Sequence, residues 1–139
     1  LGVHRITPLL SDRTEIKQDR RSFKNKVDKW TKLAIEACKQ SGNPWFPRLD
    51  QPITLPEYLN DRTGIFWVAS LTENAGPLKI DKQHDSCDIL VGPEGGWTDS
   101  EESKFKEYGA RFFSLGKYIL RAETAGISAL AVARSHFLN

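Results

Sequence analysis

The stretch LVGPEGGW, residues 90–97, has a composition that suits the interior of neither a helix nor a strand. An apolar pair runs into Gly92 and Pro93, and a single carboxylate, Glu94, then precedes Gly95 and Gly96. Glycine admits positive φ and leaves no side chain between the backbone and a ligand, while proline fixes φ. The stretch therefore predicts a sharp turn at the end of a buried strand, with bare backbone amides available to a ligand.

Three apolar runs near this turn have the length of strands that are buried on both faces. They are GIFWVAS (residues 64–70), DILVG (residues 88–92) and RFFSLG (residues 111–116). Residues 3–10 predict a further short strand, and residues 71–88 are predicted to form a loop. Because strands alternate with helical segments, the sequence predicts an α/β fold with a mostly parallel sheet and helices on both faces.

The first long helix is predicted to begin at Ser22 and to stop at Gly42. Its apolar residues recur at helical spacing: Phe23, Val27, Trp30, Ala34, Ala37 and Cys38. Pro44 follows and cannot continue the helix.

Capping-box pairs mark two other helix starts, because a Ser or Thr followed three residues later by Glu satisfies the first free amides of a helix. Thr54 with Glu57 predicts a short helix, and Thr98 with Glu101 predicts a longer one that ends at Gly109.

The last helix is predicted to be capped by Thr124. Its apolar residues cover more than one face: Ile127, Leu130, Ala131, Ala133, Phe137 and Leu138. A terminal helix of this kind is expected to dock on another surface, and a second copy of the chain is a candidate.

Composition places the chain among globular proteins. It has 139 residues, of which 39% are hydrophobic and 27% charged, which predicts one domain and excludes a disordered chain. It shows neither a signal peptide nor an apolar run of about 20 residues, so we expect a cytoplasmic protein with no membrane partner. Because the chain starts without Met, we expect it to be a fragment of a longer protein.

The cysteines and histidines do not predict a metal site. Cys38 and Cys87 are expected to be separate thiols in a reducing compartment. His4, His84 and His136 lie far apart and pair with no cysteine, so no metal is expected.

Positive charge is concentrated in one span, although the net charge is only +2. The span DRTEIKQDRRSFKNKVDKWTK, residues 12–32, contains Arg13, Lys17, Arg20, Arg21, Lys24, Lys26, Lys29 and Lys32. Two interpretations stay open: a solvated helix face, or a patch that contacts the phosphates of an anionic polymer.

The predicted ligand site lies where three strands end, because open α/β sheets bind ligands outside the carboxyl ends of their strands. The three loops there are residues 70–71, 92–96 and 115–116. No dinucleotide fingerprint or phosphate-binding loop motif is present, and Glu94 would repel a phosphate. A neutral or cationic ligand fits better, and S-adenosylmethionine, with its adenosine and positive sulfonium, is one. Alternatively, Glu94 only braces the turn by accepting backbone hydrogen bonds.

A second unusual stretch, LGKYILRAETAG (residues 115–126), again runs from a strand end through a glycine to a helix. Arg121 and Glu123 lie in it. Such a pair is most often a salt bridge at a helix start, but at the ligand end of a sheet Arg121 could instead contact a substrate.

Three segments resemble a known family. ILVGPEGGWTDSE, followed by FFSLGKYILRAETA, and the earlier KWTKLAIEACKQSG are similar to SPOUT-class RNA methyltransferases, and within them to the ribosomal RNA small subunit methyltransferase E family. The resemblance covers nearly the whole chain. It implies that residues 1–139 form a single methyltransferase domain. It implies a deep C-terminal trefoil knot, a homodimer through the C-terminal helix, and S-adenosylmethionine as cofactor. The implied reaction is methylation of uridine N3 in small-subunit (16S) ribosomal RNA.

The resemblance also assigns residues by matching motif. The cofactor-binding positions would be Ser70, Leu71, Gly92, Pro93, Glu94, Gly95, Gly96, Leu115, Gly116, Ile119, Leu120, Arg121, Glu123, Thr124 and Ala125. Leu115, Ile119 and Leu120 would surround adenine. Uracil N3 must lose a proton before it attacks a methyl group, so Glu94 or Glu123 is a candidate base and Arg121 a candidate stabiliser of the anion.

Two departures from the family concern the RNA. The family usually carries an N-terminal RNA-binding domain of PUA type, and we expect residues 1–139 not to include it. Where the family commonly has Ser-Gly-Arg, this chain has Ser41, Gly42 and Asn43. The candidate RNA contacts are Arg13, Arg20, Arg21, Lys24 and Arg48. A ribose 2′-hydroxyl methyltransferase and a non-catalytic RNA-binding module are the alternatives.

Overall fold

The computed structural model describes residues 1–14, 20–72, 75–81 and 83–137, without the side chains of Arg20 and Arg21. The chain divides into two compact units. We call Gly2–Leu10 with Glu15–Asn60 the N-terminal unit, and Leu1, Ser11–Thr14 and Asp61–Asn139 the C-terminal unit.

The N-terminal unit contains short parallel strand pairs and two helices. Its elements are β1 (Arg5–Ile6), β2 (Leu9–Leu10), α1 (Arg20–Ser41), β3 (Arg48–Leu49), β4 (Ile53–Thr54) and α2 (Leu55–Asp61). β1 pairs with β3, and β2 pairs with β4. The single strand predicted over residues 3–10 is therefore wrong. Pro8, which has no N–H to donate to a ladder, lies between β1 and β2.

Helix α1 follows the predicted apolar spacing, with Phe23, Val27 and Cys38 buried. Ala37, which was predicted to share that face, is exposed, and the helix begins at Arg20, before Ser22.

The start of α2 confirms the first capping box. The backbone N–H and Oγ1 of Thr54 donate to the Glu57 carboxylate at 2.7 and 2.8 Å, and the Glu57 N–H donates back to Thr54 Oγ1 at 3.4 Å.

The C-terminal unit contains a four-stranded sheet. Its elements are β5 (Phe66–Ala69), β6 (Gly76–Pro77), β7 (Asp88–Leu90), α3 (Asp99–Glu107), β8 (Arg111–Ser114) and α4 (Ala122–Phe137). The strand order is β6-β8-β5-β7, and every pair is parallel. The predicted α/β fold with a parallel sheet is confirmed. Strand β6 lies within residues 71–88, where only a loop was predicted.

Helices cover both faces of this sheet, because successive residues of a strand point to opposite sides. On one face, Phe66 of β5 packs edge-on against Phe105 of α3, with ring centroids 6.3 Å apart. On the other, Trp67 joins a buried cluster with Ala129 and Ala133 of α4. The alanines of α4 let that helix approach the sheet closely.

The two helices of this unit begin differently from one another. Thr98 caps α3 with a complete capping box, as predicted, and Gly109 follows the helix with φ of 76°. Thr124 does not cap α4. The Ala125 N–H donates to the Arg121 carbonyl at 2.8 Å, an i to i−4 bond that places the first helical turn before Thr124.

Both cysteines are free thiols, as the sequence predicts. Burial raises the pKa of the Cys87 thiol, and the charge of Asp88 raises it further. No helix within the described part of the chain has the length and apolar character that crossing a membrane requires.

Among the residues that the structure describes, Glu101 is the only charged side chain in the core, with 1% exposure. One carboxylate oxygen accepts the Asp12 N–H at 2.9 Å, and the other accepts the Thr98 N–H at 2.8 Å. The Thr98 hydroxyl lies 3.0 Å from the Asp12 carboxylate. Glu101 thus fastens the Ser11–Thr14 segment to the first turn of α3.

We expect Glu101→Ala to lower the free energy of unfolding by about 2–4 kcal/mol, because two backbone donors lose their acceptor and α3 loses its capping box. Urea unfolding measures the change. Glu107→Ala, at the exposed end of the same helix, is the control and is expected to change stability by less than about 0.5 kcal/mol. Equal midpoints for the two variants would contradict the assignment.

Candidate functional site

A cavity of about 520 Å³ lies at the carboxyl ends of β5, β7 and β8, within the C-terminal unit. Volumes of about 300–1,000 Å³ are typical of small-molecule sites. The cavity is lined by residue 13, residues 69–72, 91–97, 99, 102, 113, 115–116, 118–120, 122 and 125. The three loops that the sequence placed together do meet around one cavity.

Most of the sequence-predicted ligand residues line this cavity. They are Ser70, Leu71, Gly92, Pro93, Glu94, Gly95, Gly96, Leu115, Gly116, Ile119, Leu120 and Ala125. Arg121, Glu123 and Thr124 are exposed and do not line it. Of the three candidate catalytic residues, the structure therefore brings only Glu94 into the cavity wall, while Arg121 and Glu123 flank the lining residue Ala122.

The turn after β7 is shaped by the buried indole of Trp97. A Cβ on Gly92 would lie 3.1–3.3 Å from three atoms of that ring, closer than ordinary contacts. The ring cannot easily move away, because its Nε1 donates to the Ala69 carbonyl at 3.0 Å and it makes a T-shaped contact with Phe105, with centroids 4.9 Å apart. Gly96 has φ of 69°, which a residue with a side chain rarely adopts.

Arg13 also holds this turn. Its Nη1 donates to the Gly95 carbonyl at 2.5 Å and to the Trp97 carbonyl at 3.3 Å. A Cβ on Gly95 would lie 3.1 Å from Arg13 Cδ. The sequence predicted an RNA contact for Arg13. That contact stays a prediction, and the structure adds a bond to the turn that sequence spacing could not reveal, because 82 residues separate the partners.

The cavity wall is acidic. Three carboxylates line it, those of Glu94, Asp99 and Glu102, against the single guanidinium of Arg13 among the described lining residues. Ser70, which is buried, lies with its Oγ 3.1 Å from a Glu102 carboxylate oxygen. Such a wall disfavours phosphate and favours a ligand with positive charge.

Sequence reasoning missed Asp99 and Glu102. They could have been found from their position in the first turn of α3, because the predicted capping box places the start of that helix next to the glycine turn. The Glu94 carboxylate accepts no hydrogen bond from another described residue, so the structure gives no support to its interpretation as a brace. Within the described ranges, no three His, Cys, Asp or Glu residues are grouped to hold a metal ion.

A parallel sheet with helices on both faces and a cavity at its strand ends defines an α/β ligand-binding protein. A family model, described as an RNA methyltransferase domain, matches residues 1–134. The chain belongs to this family.

Individual relatives agree with this assignment and with the resemblance seen in the motifs. A ribosomal RNA small subunit methyltransferase E from Synechocystis sp. is 36% identical over 138 residues, covering 94% of this chain and 44% of that protein. A Legionella pneumophila protein solved with the bound cofactor SAM superposes with a TM-score of 0.91 at 31% identity, covering 96% of this chain and 56% of its own.

A ribosomal RNA small subunit methyltransferase E from Neisseria gonorrhoeae, bound to S-adenosyl methionine, has a TM-score of 0.83 and 32% identity. The match covers 99% of this chain and 56% of that one. The chain spans about half the length of these relatives.

We expect Gly92→Ala to lower stability by about 1–3 kcal/mol, because the added methyl group overpacks against the fixed Trp97 ring. Thermal unfolding followed by tryptophan fluorescence measures it. Gly76→Ala is the control, since a Cβ there meets nothing within 4 Å. A Gly92→Ala protein as stable as the Gly76→Ala protein would show that the indole does not require glycine.

Proposed function

We propose that this chain is an S-adenosylmethionine-dependent methyltransferase domain that modifies N3 of a uridine in small-subunit ribosomal RNA. The cavity at the strand ends is the observation that carries the proposal. It combines bare backbone of the glycine turn with an acidic wall, and it occurs in a fold that superposes on two proteins solved with this cofactor. An enzyme of ribosomal RNA would act in the cytoplasm.

The donor set of the cavity suits the proposed cofactor. An adenine ring needs apolar contacts and backbone hydrogen-bond partners, which Leu115, Ile119 and Leu120 and the neighbouring loops can supply. A sulfonium and an ammonium need negative charge nearby, which Glu94, Asp99 and Glu102 can supply. S-adenosylmethionine contributes a methyl group on a positively charged sulfur.

Glu94 is the residue we propose as the general base. It is exposed at the cavity wall and accepts no hydrogen bond from another described residue, so its oxygens are available to take the N3 proton of a uracil. Arg121 and Glu123, at the start of α4, are proposed to act at the uracil from the edge of the cavity. Arg121 would stabilise negative charge on a uracil oxygen once N3 is deprotonated.

We also propose that residues 1–139 form a single methyltransferase domain with a deep trefoil knot in its C-terminal part. The support is the family assignment over residues 1–134, which includes both units, together with the motif resemblance. A knotted chain pulled from both ends would reach less than its full contour length of about 3.3–3.6 Å per residue.

Methyl transfer to small ribosomal subunits that lack the modification tests the function. We expect one methyl group per subunit, mapped to N3 of a single uridine by nucleoside analysis. Glu94→Gln is expected to slow transfer by about 10²–10⁴-fold, because a general base contributes that much. Arg121→Ala and Glu123→Ala should also slow it, with cofactor affinity by calorimetry little changed.

Glu107→Gln, an exposed carboxylate at the far end of α3, is the matched control and should transfer at the unmodified rate. If the methyl group is found on a ribose 2′ oxygen and not on uridine N3, the chain is a ribose 2′-hydroxyl methyltransferase. If calorimetry shows no heat of S-adenosylmethionine binding and no methyl group is transferred, a non-catalytic RNA-binding module is favoured.

The homodimer is proposed to form through α4. This helix buries Ala125, Ala129 and Ala133 within its own unit but leaves Ile127 62% and Phe137 47% exposed.

We expect the double variant Ile127→Glu, Phe137→Glu to sediment as a monomer at concentrations where the unmodified chain is a dimer, because buried carboxylates would oppose association. Leu33→Glu, on the exposed side of α1, should leave the dimer intact. If the α4 variant keeps its dimer, the interface lies elsewhere.

A further inference from the structure

Two adjacent aromatic side chains stand in solvent on the N-terminal unit. Trp45 is 79% exposed and Phe46 is 56% exposed, in the loop between α1 and β3. By contrast, the sheet tryptophan Trp67 and the turn tryptophan Trp97 are buried. Single exposed apolar residues are ordinary, but neighbouring aromatic rings form a contiguous apolar surface and are typical of binding sites.

Hydrogen bonds hold the backbone of this loop, and this fixes the positions from which the two rings project. The Trp45 N–H donates to the Asn43 side-chain oxygen at 3.1 Å. The Trp45 carbonyl lies 3.6 Å from Cys38 Sγ, within reach of its S–H, and the Asn43 N–H donates to the Cys38 carbonyl at 3.0 Å. Pro44 and Pro47 fix φ on either side of the rings. A platform ordered before binding loses little entropy when a ligand arrives.

Asn43 therefore has a structural contact of its own. It stands where the resembling family commonly has arginine, and its side chain fixes the Trp45 backbone instead of offering a charge. The position at which this chain has Asn43 in place of arginine is thus directly beside the aromatic pair.

The unit that carries the pair is basic. The N-terminal unit has ten Lys and Arg residues against six Asp and Glu, a net charge of +4, whereas the C-terminal unit has ten against twelve, a net charge of −2. The unit that carries the exposed rings is thus the one that attracts a polyanion.

Two arginines lie close to the pair in the fold. Arg48 of β3 is the register partner of Arg5 of β1, and both guanidinium groups contact the Asp50 carboxylate. Burial acts to raise the pKa of Asp50, but hydrogen bonds from Thr7 and Arg5 and the charges of both arginines outweigh it and lower the pKa. One carboxylate cannot neutralise two guanidiniums, and the arginine side chains stay 57% and 71% exposed.

We propose that Trp45 and Phe46 form a stacking platform for an unpaired base of the RNA, with Arg5 and Arg48 available to its phosphates. Every base has a π face, and unpaired bases of RNA are recognised by stacking on aromatic rings. A second copy of this chain is the less suitable occupant, because it would bring another net positive unit to the same surface. The proposal rests on the proposed function, which makes RNA the substrate.

Fluorescence anisotropy of a labelled single-stranded 12-nucleotide RNA tests the platform. We expect Trp45→Ala, Phe46→Ala to weaken binding about tenfold or more, since stacking on an aromatic ring contributes about that factor per base. The dependence of affinity on salt should stay unchanged, because stacking neutralises no phosphate. Arg48→Ala should instead reduce the salt dependence.

Two controls separate stacking from a general loss of structure. Leu33→Ala removes an exposed apolar side chain of α1 and should leave RNA affinity unchanged. Trp45→Phe keeps an aromatic face and should retain most of the affinity. In the unmodified chain, the RNA should also shield the exposed tryptophan from quenching by acrylamide, a measurement that needs no variant.

Unchanged affinity in the double alanine variant, or unchanged quenching on RNA binding, would overturn the platform. If the double alanine variant sediments differently but binds RNA equally well, the surface is an interface between copies of the chain, and the platform proposal is overturned as well. Methyl transfer, and cofactor binding by calorimetry, are measured separately from RNA binding. If both fail while RNA binding still depends on Trp45 and Phe46, the proposed function falls and the platform stands.

Discussion

The packing of the Trp97 indole is the contact on which the candidate site depends. Its ring nitrogen bonds to the end of β5, its ring packs in a T-shaped contact with Phe105 of α3, and its atoms crowd the space that a side chain on Gly92 would need. One buried side chain therefore joins two strand ends and a helix. Because these contacts hold the ring in place, the turn keeps its shape without side chains at Gly92, Gly95 and Gly96.

Contacts from outside the turn complete this arrangement. Arg13 bonds to two carbonyls of the turn, and Glu101 fastens the neighbouring backbone of Asp12 to the start of α3. The hydrogen-bond acceptors of the turn are thus partly occupied by protein. The carboxylates of the cavity wall, by contrast, face a space suited to positive charge. The excess of carboxylates in the cavity wall disfavours a phosphate ligand.

Charge is divided between the two units in a way that matches the two kinds of ligand proposed. The basic N-terminal unit carries the exposed aromatic pair, and the acidic C-terminal unit carries the cavity. A polyanion and a cationic small molecule would then be attracted to different parts of one chain. The weak net charge of +2 conceals this division.

The sequence by itself determined the parallel α/β class, the glycine turn and both capping boxes, because these depend on local periodicity and on residues at most a few positions apart. It also indicated that three loops share one site, since parallel strands end at one edge. The tertiary structure alone decided the short strand β6, the start of α4 before Thr124, the position of Arg121 and Glu123 outside the cavity wall, and the bond from Arg13 to Gly95. Strand β6 and the Arg13 bond depend on partners far apart in the chain, and the position of Arg121 and Glu123 depends on the direction in which side chains point. The start of α4 depends on a local backbone bond from Ala125 to Arg121, but the sequence offered Thr124 as an equally plausible cap.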